Sequence, residues 1–330
     1  MSEKPRQTLD VSTLSKRIIA NVEQAVVGKR QQIVKVLVAW YCEGHVLLED
    51  VPGVAKTILA RAFAQSLGCS FKRIQCTPDL LPTDVTGGSI FNQKSSEFEF
   101  RRGPIFAQLV LTDEVNRATP RSQAALLEAM AESAVTIDGT THKLDPPFLL
   151  IATQNPVDHE GTFPLPEAQL DRFLMKLSLG YPTPAEESQM LDMLKTEHPI
   201  SKLKPVVTVE QLLACQRAVR SVHVHEKVRG YITRIVAATR EHEDLSLGGS
   251  PRASIALYRA AQAVAAIRGR NFVEPDDVKN ILSPVLEHRL ILKPESRLRN
   301  VNVSEILVEI MDEIPVPVLE TRPPARTGPR

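Results

Sequence analysis

Lys56-Thr57, placed after an apolar run and a glycine, sets an ammonium beside a hydroxyl at the start of a helix, a pairing suited to nucleotide phosphates. His45-Val46-Leu47-Leu48-Glu49 reads as a strand, Asp50 to Thr57 (DVPGVAKT) as a turn, and Ile58 to Phe63 as a helix that stops at Gly68. Pro52, Gly53, Val54, Ala55, Lys56, Thr57 and Ile58 would then form a nucleotide loop. Its backbone N–H groups face the phosphates, Lys56 reaches the terminal ones, and Thr57 can ligate magnesium. Asp50 and Ala55 stand where the strict G-x-x-x-x-G-K-[ST] pattern has glycine. Ala55 is expected at negative φ in the first helical turn, leaving Gly53 to supply the positive φ. Asp50 is compatible only if its carboxylate points away from a triphosphate. An ordinary strand-to-helix turn would look similar over these residues alone.

Leu109-Val110-Leu111-Thr112-Asp113-Glu114 is a second apolar strand ending in two acids, at the sheet edge where parallel sheets bind ligands. Asp113 is suited to hold a magnesium shell. Glu114, pointing elsewhere, is suited to orient and deprotonate an attacking water. Acids capping a following helix are the plainer alternative. A third strand, Phe148 to Thr153, delivers Gln154-Asn155-Pro156, so Asn155 could hydrogen-bond a γ-phosphate or the water. Arg172, at the end of a short helix begun near Pro166-Glu167 and just before the strand Met175 to Leu179, is either a surface arginine or one aimed at a neighbouring subunit's phosphate. Arg252 opens a later helix after Ser250-Pro251. Read without any relative, it is a solvent-exposed helical arginine.

These side chains need a scaffold, and the chain divides to provide one. Up to about Gly180 strands and helices alternate. Beyond Tyr181-Pro182-Thr183-Pro184 the pattern becomes wholly helical, with helices expected at 185–197, 209–220, 226–243, 251–268, 275–289 and 304–313. The fold class expected is α/β, a P-loop core with a parallel sheet followed by an all-helical domain. The divisions are a flexible N-terminus (1–11), an α/β core (12–182), a helical part (183–314) and a disordered Pro/Arg-containing tail (315–330). Two hairpins interrupt the core. One lies between Gly87 and Pro104, where Phe98 and Phe100 alternate with charged residues, and the other runs from Ala134 to Lys143 around Asp138-Gly139. Neither tip is expected to carry an aromatic or basic cluster.

Together these residues resemble the MoxR family of AAA+ ATPases. The likeness is carried by VVGK (26–29), LLEDVPGVAKT (47–57), CTPDLLPTDVTG (76–87), GPIF (103–106), DEVNRATPRSQAALLEAM (113–130), ATQNP (152–156), GTFPLPEAQLDRF (161–173) and SPRA (250–253). The resemblance implies that Lys56 and Thr57 are Walker A, Asp113 and Glu114 Walker B, Asn155 sensor 1, Arg172 an arginine finger and Arg252 sensor 2. It implies that Val26, Val27 and Gly28 line an adenine pocket. It further implies ATP and Mg2+ as cofactors, a cytoplasmic ring homo-oligomer of hexameric habit, hairpins facing a client or a neighbouring subunit, and a client carrying a von Willebrand factor A domain. Whether Arg252 serves its own subunit's nucleotide or a neighbour's stays open at this stage. Rival readings are an ATP-binding scaffold of very slow turnover, a chelatase motor subunit, and a nucleic-acid motor.

The 330 residues are 43% apolar and carry a net charge of +1, enough for two cores but no general attraction to nucleic acid or anionic membrane. No signal peptide or membrane segment is expected, since the longest apolar run, Ile33 to Cys42, is broken by Lys35. Cys42, Cys69, Cys76 and Cys215 show no paired spacing and read as reduced thiols. His223-Val224-His225 lacks further ligands nearby, and a metal there is not expected.

Overall fold

Short runs of Val, Ile and Leu that are apolar at every position, not at alternate ones, suit strands buried on both faces. The computed structural model, which describes residues 10–155, 161–193 and 199–318, places three of them at the centre of a sheet. The chain begins with α1 (Val11–Val22), α2 (Arg30–Tyr41), β1 (Val46–Glu49), α3 (Lys56–Leu67), β2 (Phe71–Gln75) and α4 (Pro82–Thr86). A hairpin of β3 (Gly87–Asn92) and β4 (Glu97–Arg102) leads to β5 (Leu109–Asp113), α5 (Pro120–Glu132) and a second hairpin, β6 (Ala134–Ile137) with β7 (Thr140–Lys143). Next come β8 (Leu149–Gln154), α6 (Glu167–Leu170), β9 (Met175–Leu177) and α7 (Pro184–Met193). The remainder is α8 (Val209–Arg220), α9 (Glu226–Glu241), β10 (Leu245–Leu247), α10 (Pro251–Ile267), α11 (Pro275–Leu286), β11 (Ile291–Leu292), α12 (Pro294–Leu298) and α13 (Val303–Glu313).

The five-stranded sheet has the order β2-β5-β8-β1-β9 and every pair is parallel, so all carboxyl ends open on one edge. Successive residues serve opposite faces. Val46, Leu48, Leu109, Leu111, Leu149 and Ile151 pack on α1 to α3 and continue without a break into the core of the helical part. Leu47, Val110, Leu150 and Ala152 face the other way, onto α5 and its neighbours.

Several expectations are corrected. The helical part also holds β10 and β11, an antiparallel pair too short for its residues to show a period. Val11, expected in the N-terminal division, is already helical, with the Asp10 carboxylate accepting the Ser12 N–H as an N-cap. Residues 1–9 and 319–330, Pro156 and the expected helical end beyond Met193 lie outside the described residues. The first hairpin does carry an aromatic pair. Register places Phe91 opposite Phe98, ring centroids 5.3 Å apart, and these side chains are 50% and 73% exposed. The two hairpins brace one another, Ser89 donating to Asp138 at 2.6 Å and Phe100 stacking on His142 at 4.2 Å. All four cysteines are free, and burial pushes the Cys42, Cys69 and Cys76 thiols up to about 12.

Candidate nucleotide site

The turn between β1 and α3 needs left-handed backbone twice. Gly53 has φ +88°, as its type allows, and no atom lies within 4 Å of where a Cβ would stand. Ala55 has φ +62° and ψ +23°, contrary to the negative φ expected of it. The reason is register: α3 starts at Lys56, so Ala55 is the residue before the helix and occupies the left-handed step where the strict pattern has glycine. Its β-carbon costs about 1–2 kcal/mol there.

Asp50 is turned away from the cavity, as the sequence required. Its buried carboxylate accepts from Ser178 Oγ (2.8 Å), the Leu179 N–H (2.5 Å) and the Gly180 N–H (3.1 Å), fastening the end of β1 to the segment after β9. Its backbone carbonyl accepts from Lys56 Nζ at 2.6 Å. Burial lowers the Lys56 ammonium from its ordinary value, against the opposing pull of Asp50, Asp113 and Glu114.

Beside the turn, β5 ends at Asp113, and Glu114 follows with φ +56°, a left-handed step that sends its side chain elsewhere. Thr153 of β8 organises both acids. Its hydroxyl donates to Asp113 Oδ1 at 2.7 Å and accepts the Glu114 N–H at 2.9 Å. From β2, Arg73 donates through Nε (3.0 Å) and Nη2 (2.7 Å) to Asp113 Oδ2. Nη2 also donates to Gln75 Oε1 at 2.7 Å, and Gln75 Nε2 donates to Glu114 Oε2 at 3.4 Å. Arg117 Nη1 lies 3.3 Å from the same Glu114 oxygen. Thr112 is fully buried beside Ala152 and, by strand alternation, faces away from Asp113.

Residues 52–58 line a cavity of about 420 Å3 with Arg73, Gln75, Asp113, Glu114, Thr153 and Asn155. Lys56, Thr57, Asp113, Glu114 and Asn155, far apart in sequence, are thus one site. The donors fit magnesium carried by a phosphate: Thr57 and Asp113 offer hard oxygens, and such ions take one or two protein ligands with water and phosphate completing the shell.

Other expected residues lie elsewhere. Val27 and Gly28 are absent from that lining. Gly28, at φ +71°, faces the Glu186 side chain of α7, which fills the space of a β-carbon. Arg172 and Arg252 line a second cavity of about 410 Å3, with Glu43, Glu132, Arg259 and Arg289 among its walls and no residue in common with the first. Arg172 Nη1 donates to the Leu127 carbonyl at 2.9 Å, and Arg252 Nη1 lies 4.0 Å from Asp171 Oδ2. Asp171 also receives Ser250 Oγ (3.2 Å) and Arg289 Nε (2.8 Å). Sequence reading missed Arg73, Gln75 and Thr153. The first two sit on an edge strand of mixed polarity, Phe71-Lys72-Arg73-Ile74-Gln75. Thr153 looked like one more residue of an apolar run.

A parallel sheet with a phosphate turn at the tip of β1, an acid-tipped β5 separated from it by β8, and a following helical part defines an ATPase core of the AAA class with its lid. Family comparison agrees: residues 45–175 match the ATPase family associated with various cellular activities (AAA), and residues 237–310 match the AAA lid domain. The chain is 50% identical to the uncharacterised protein YeaC of Bacillus subtilis (strain 168), across 94% of this chain and 97% of that one. It is 40% identical to Chaperone MoxR1 of Mycobacterium tuberculosis, across 95% and 85%. A crystal structure of a candidate ATPase from Cytophaga hutchinsonii superposes with a TM-score of 0.88 at 38% identity, covering 93% of this chain and 96% of the other. The chain belongs to the MoxR family of AAA+ ATPases.

Proposed function

We propose that this chain hydrolyses ATP at sites shared between neighbouring copies in a cytoplasmic ring, and spends the subunit motions on remodelling a protein client. The observation that carries this reading is the separation of the two cavities. One holds Lys56, Thr57, Asp113, Glu114 and Asn155, and the other holds Arg172 and Arg252. A phosphate site lacking its transition-state arginines in one chain is completed by an adjoining chain that presents them. On this reading both arginines act in trans.

Within the site the loop 52–58 cradles the phosphates at the start of α3, and Lys56 exchanges the Asp50 carbonyl for a terminal phosphate oxygen. Thr57 and Asp113 would hold magnesium, which would supply charge neutralisation to the phosphates. Glu114 accepts the proton of the attacking water, which Asn155 orients. Val27 and Gly28 lie on the stretch that would border the base. The paired hairpins, with Phe91 and Phe98 exposed, face the client, for which a protein carrying a von Willebrand factor A domain is the proposed class. The relative named Chaperone MoxR1 supports client handling in general terms.

A second reading, a nucleotide-gated scaffold of very slow turnover, is favoured by one observation. Asp113 is engaged by Arg73, and Glu114 is held between Gln75 and Arg117. ATP turnover measured against protein concentration, with mass determined at each point, separates the two. The motor requires turnover per chain to rise as rings form and Glu114→Gln to bind ATP without hydrolysing it. Equal, minimal turnover by wild type and variant in fully formed rings would select the scaffold.

A further inference from the structure

Arg73 lies outside the set of residues assigned above to catalysis, yet it makes the closest ion pair among the described residues that line the cavity, 2.7 Å from Asp113. Asp113 has two oxygens, and both are engaged: Oδ1 accepts from Thr153, and Oδ2 accepts two prongs of the Arg73 guanidinium, at 3.0 and 2.7 Å. A charge-assisted fork of this kind is a strong, oriented contact. It sets a positive group at the carboxylate that the nucleotide reading needs as a metal ligand. Two cations cannot both take the inner side of one carboxylate without repelling each other.

The surroundings allow the guanidinium to leave. β2 is an edge strand of the sheet, paired only with β5, and the Arg73 side chain is 48% exposed against 14% for Asp113. Asp113 is therefore the fixed member of the pair and Arg73 the movable one. Resting on the nucleotide reading, we propose that Arg73 is a latch on Asp113. It keeps the carboxylate neutralised in the nucleotide-free site and gives it up when the magnesium nucleotide binds. The same Nη2 holds Gln75 Oε1, and Gln75 Nε2 reaches Glu114, so opening the latch also loosens the grip on Glu114. Arg73 is a positioning residue in this role, acting on the reaction through Asp113.

The test reads metal affinity without requiring turnover. Full-length protein is titrated with a fluorescent ADP in EDTA, the chelator is removed, and the complex is then titrated with Mn2+ followed by electron paramagnetic resonance, for wild type, Arg73→Gln, Arg73→Lys and Arg117→Gln. The latch predicts that Arg73→Gln half-saturates at a Mn2+ concentration at least threefold lower than wild type. Arg73→Lys, which keeps the charge and loses the fork, falls between them, and Arg117→Gln stays within twofold of wild type. Unchanged or weaker Mn2+ binding in Arg73→Gln overturns the proposal. So does an equal gain in Arg117→Gln, which would assign the effect to net charge alone. Failure of the wild type to bind the nucleotide at all would remove the nucleotide reading and the latch together, whereas binding that is indifferent to Arg73 removes only the latch.

Discussion

Ala55 is one of two residues, with Asp50, at which the phosphate turn departs from its usual composition, and there the backbone is strained. At φ +62° a β-carbon is strained where glycine is not. Ala55→Gly should therefore stabilise the protein by about 1 kcal/mol, less the extra chain entropy of glycine, raising the melting temperature by about 2 °C in calorimetry. A lower melting temperature would mean that Ala55 is held there by packing that outweighs the strain. His45 makes a second prediction at this scale. Its Nδ1 accepts the Leu150 N–H and its Nε2 donates to the Met130 carbonyl, each at 3.0 Å, so the ring is neutral; burial lowers it from 6.5 to about 4. Between those pH values the unfolded chain binds a proton that the folded chain refuses, so stability rises with pH across the window. It is complete above 6.5 and is lost as the pH falls towards 4, by about 3 kcal/mol from this one ring. Urea melts at pH 7.0 and 4.5 should show the loss in wild type and a smaller one in His45→Gln.

Among the elements, β1, β5 and β8 were legible because strands buried on both faces leave unbroken apolar runs, and Lys56 after the turn from β1, Asp113 at the end of β5 and Asn155 just past β8 followed from them. β2 was not legible. An edge strand needs no continuous apolar run, and Lys72, Arg73 and Gln75 interrupt the pattern. Arg73 and Gln75 were lost with it. The second hairpin was legible to the residue through Asp138-Gly139 at its turn, but the Ser89–Asp138 bond that ties it to the first is a tertiary contact across 49 positions that no local pattern encodes. Asp50 shows the same limit from the other side. Sequence demanded that its carboxylate turn away, and only the fold reveals the three donors from residues 178–180 that hold it there. Asp50→Ala should cost about 3 kcal/mol by leaving two backbone N–H groups unpaired, and Asp50→Asn about half as much. Denaturant unfolding checks both, and equal stability of Asp50→Ala and wild type would show that the junction of β1 with the post-β9 segment adds nothing.

At the scale of the whole molecule, the helical part is joined to the α/β part by a continuous core and by Arg289, a nearly buried guanidinium that bonds Asp171 and the carbonyls of Phe173 and Leu174. Arg172 and Arg252 share with Asp171 and Arg289 a cavity from which the phosphate turn is absent. On the proposed reading, a single chain holds half of two sites rather than the whole of one. The direct test is subunit mixing: Glu114→Gln chains, which keep their arginines, are combined with Arg172→Ala chains, which keep their Walker residues. Each variant alone should be nearly inactive, and mixed rings should regain a substantial fraction of wild-type ATP turnover, because some junctions pair an intact Glu114 with an intact Arg172. Mixed rings as inactive as the separate variants, with co-assembly verified by mass, would contradict a site shared between subunits.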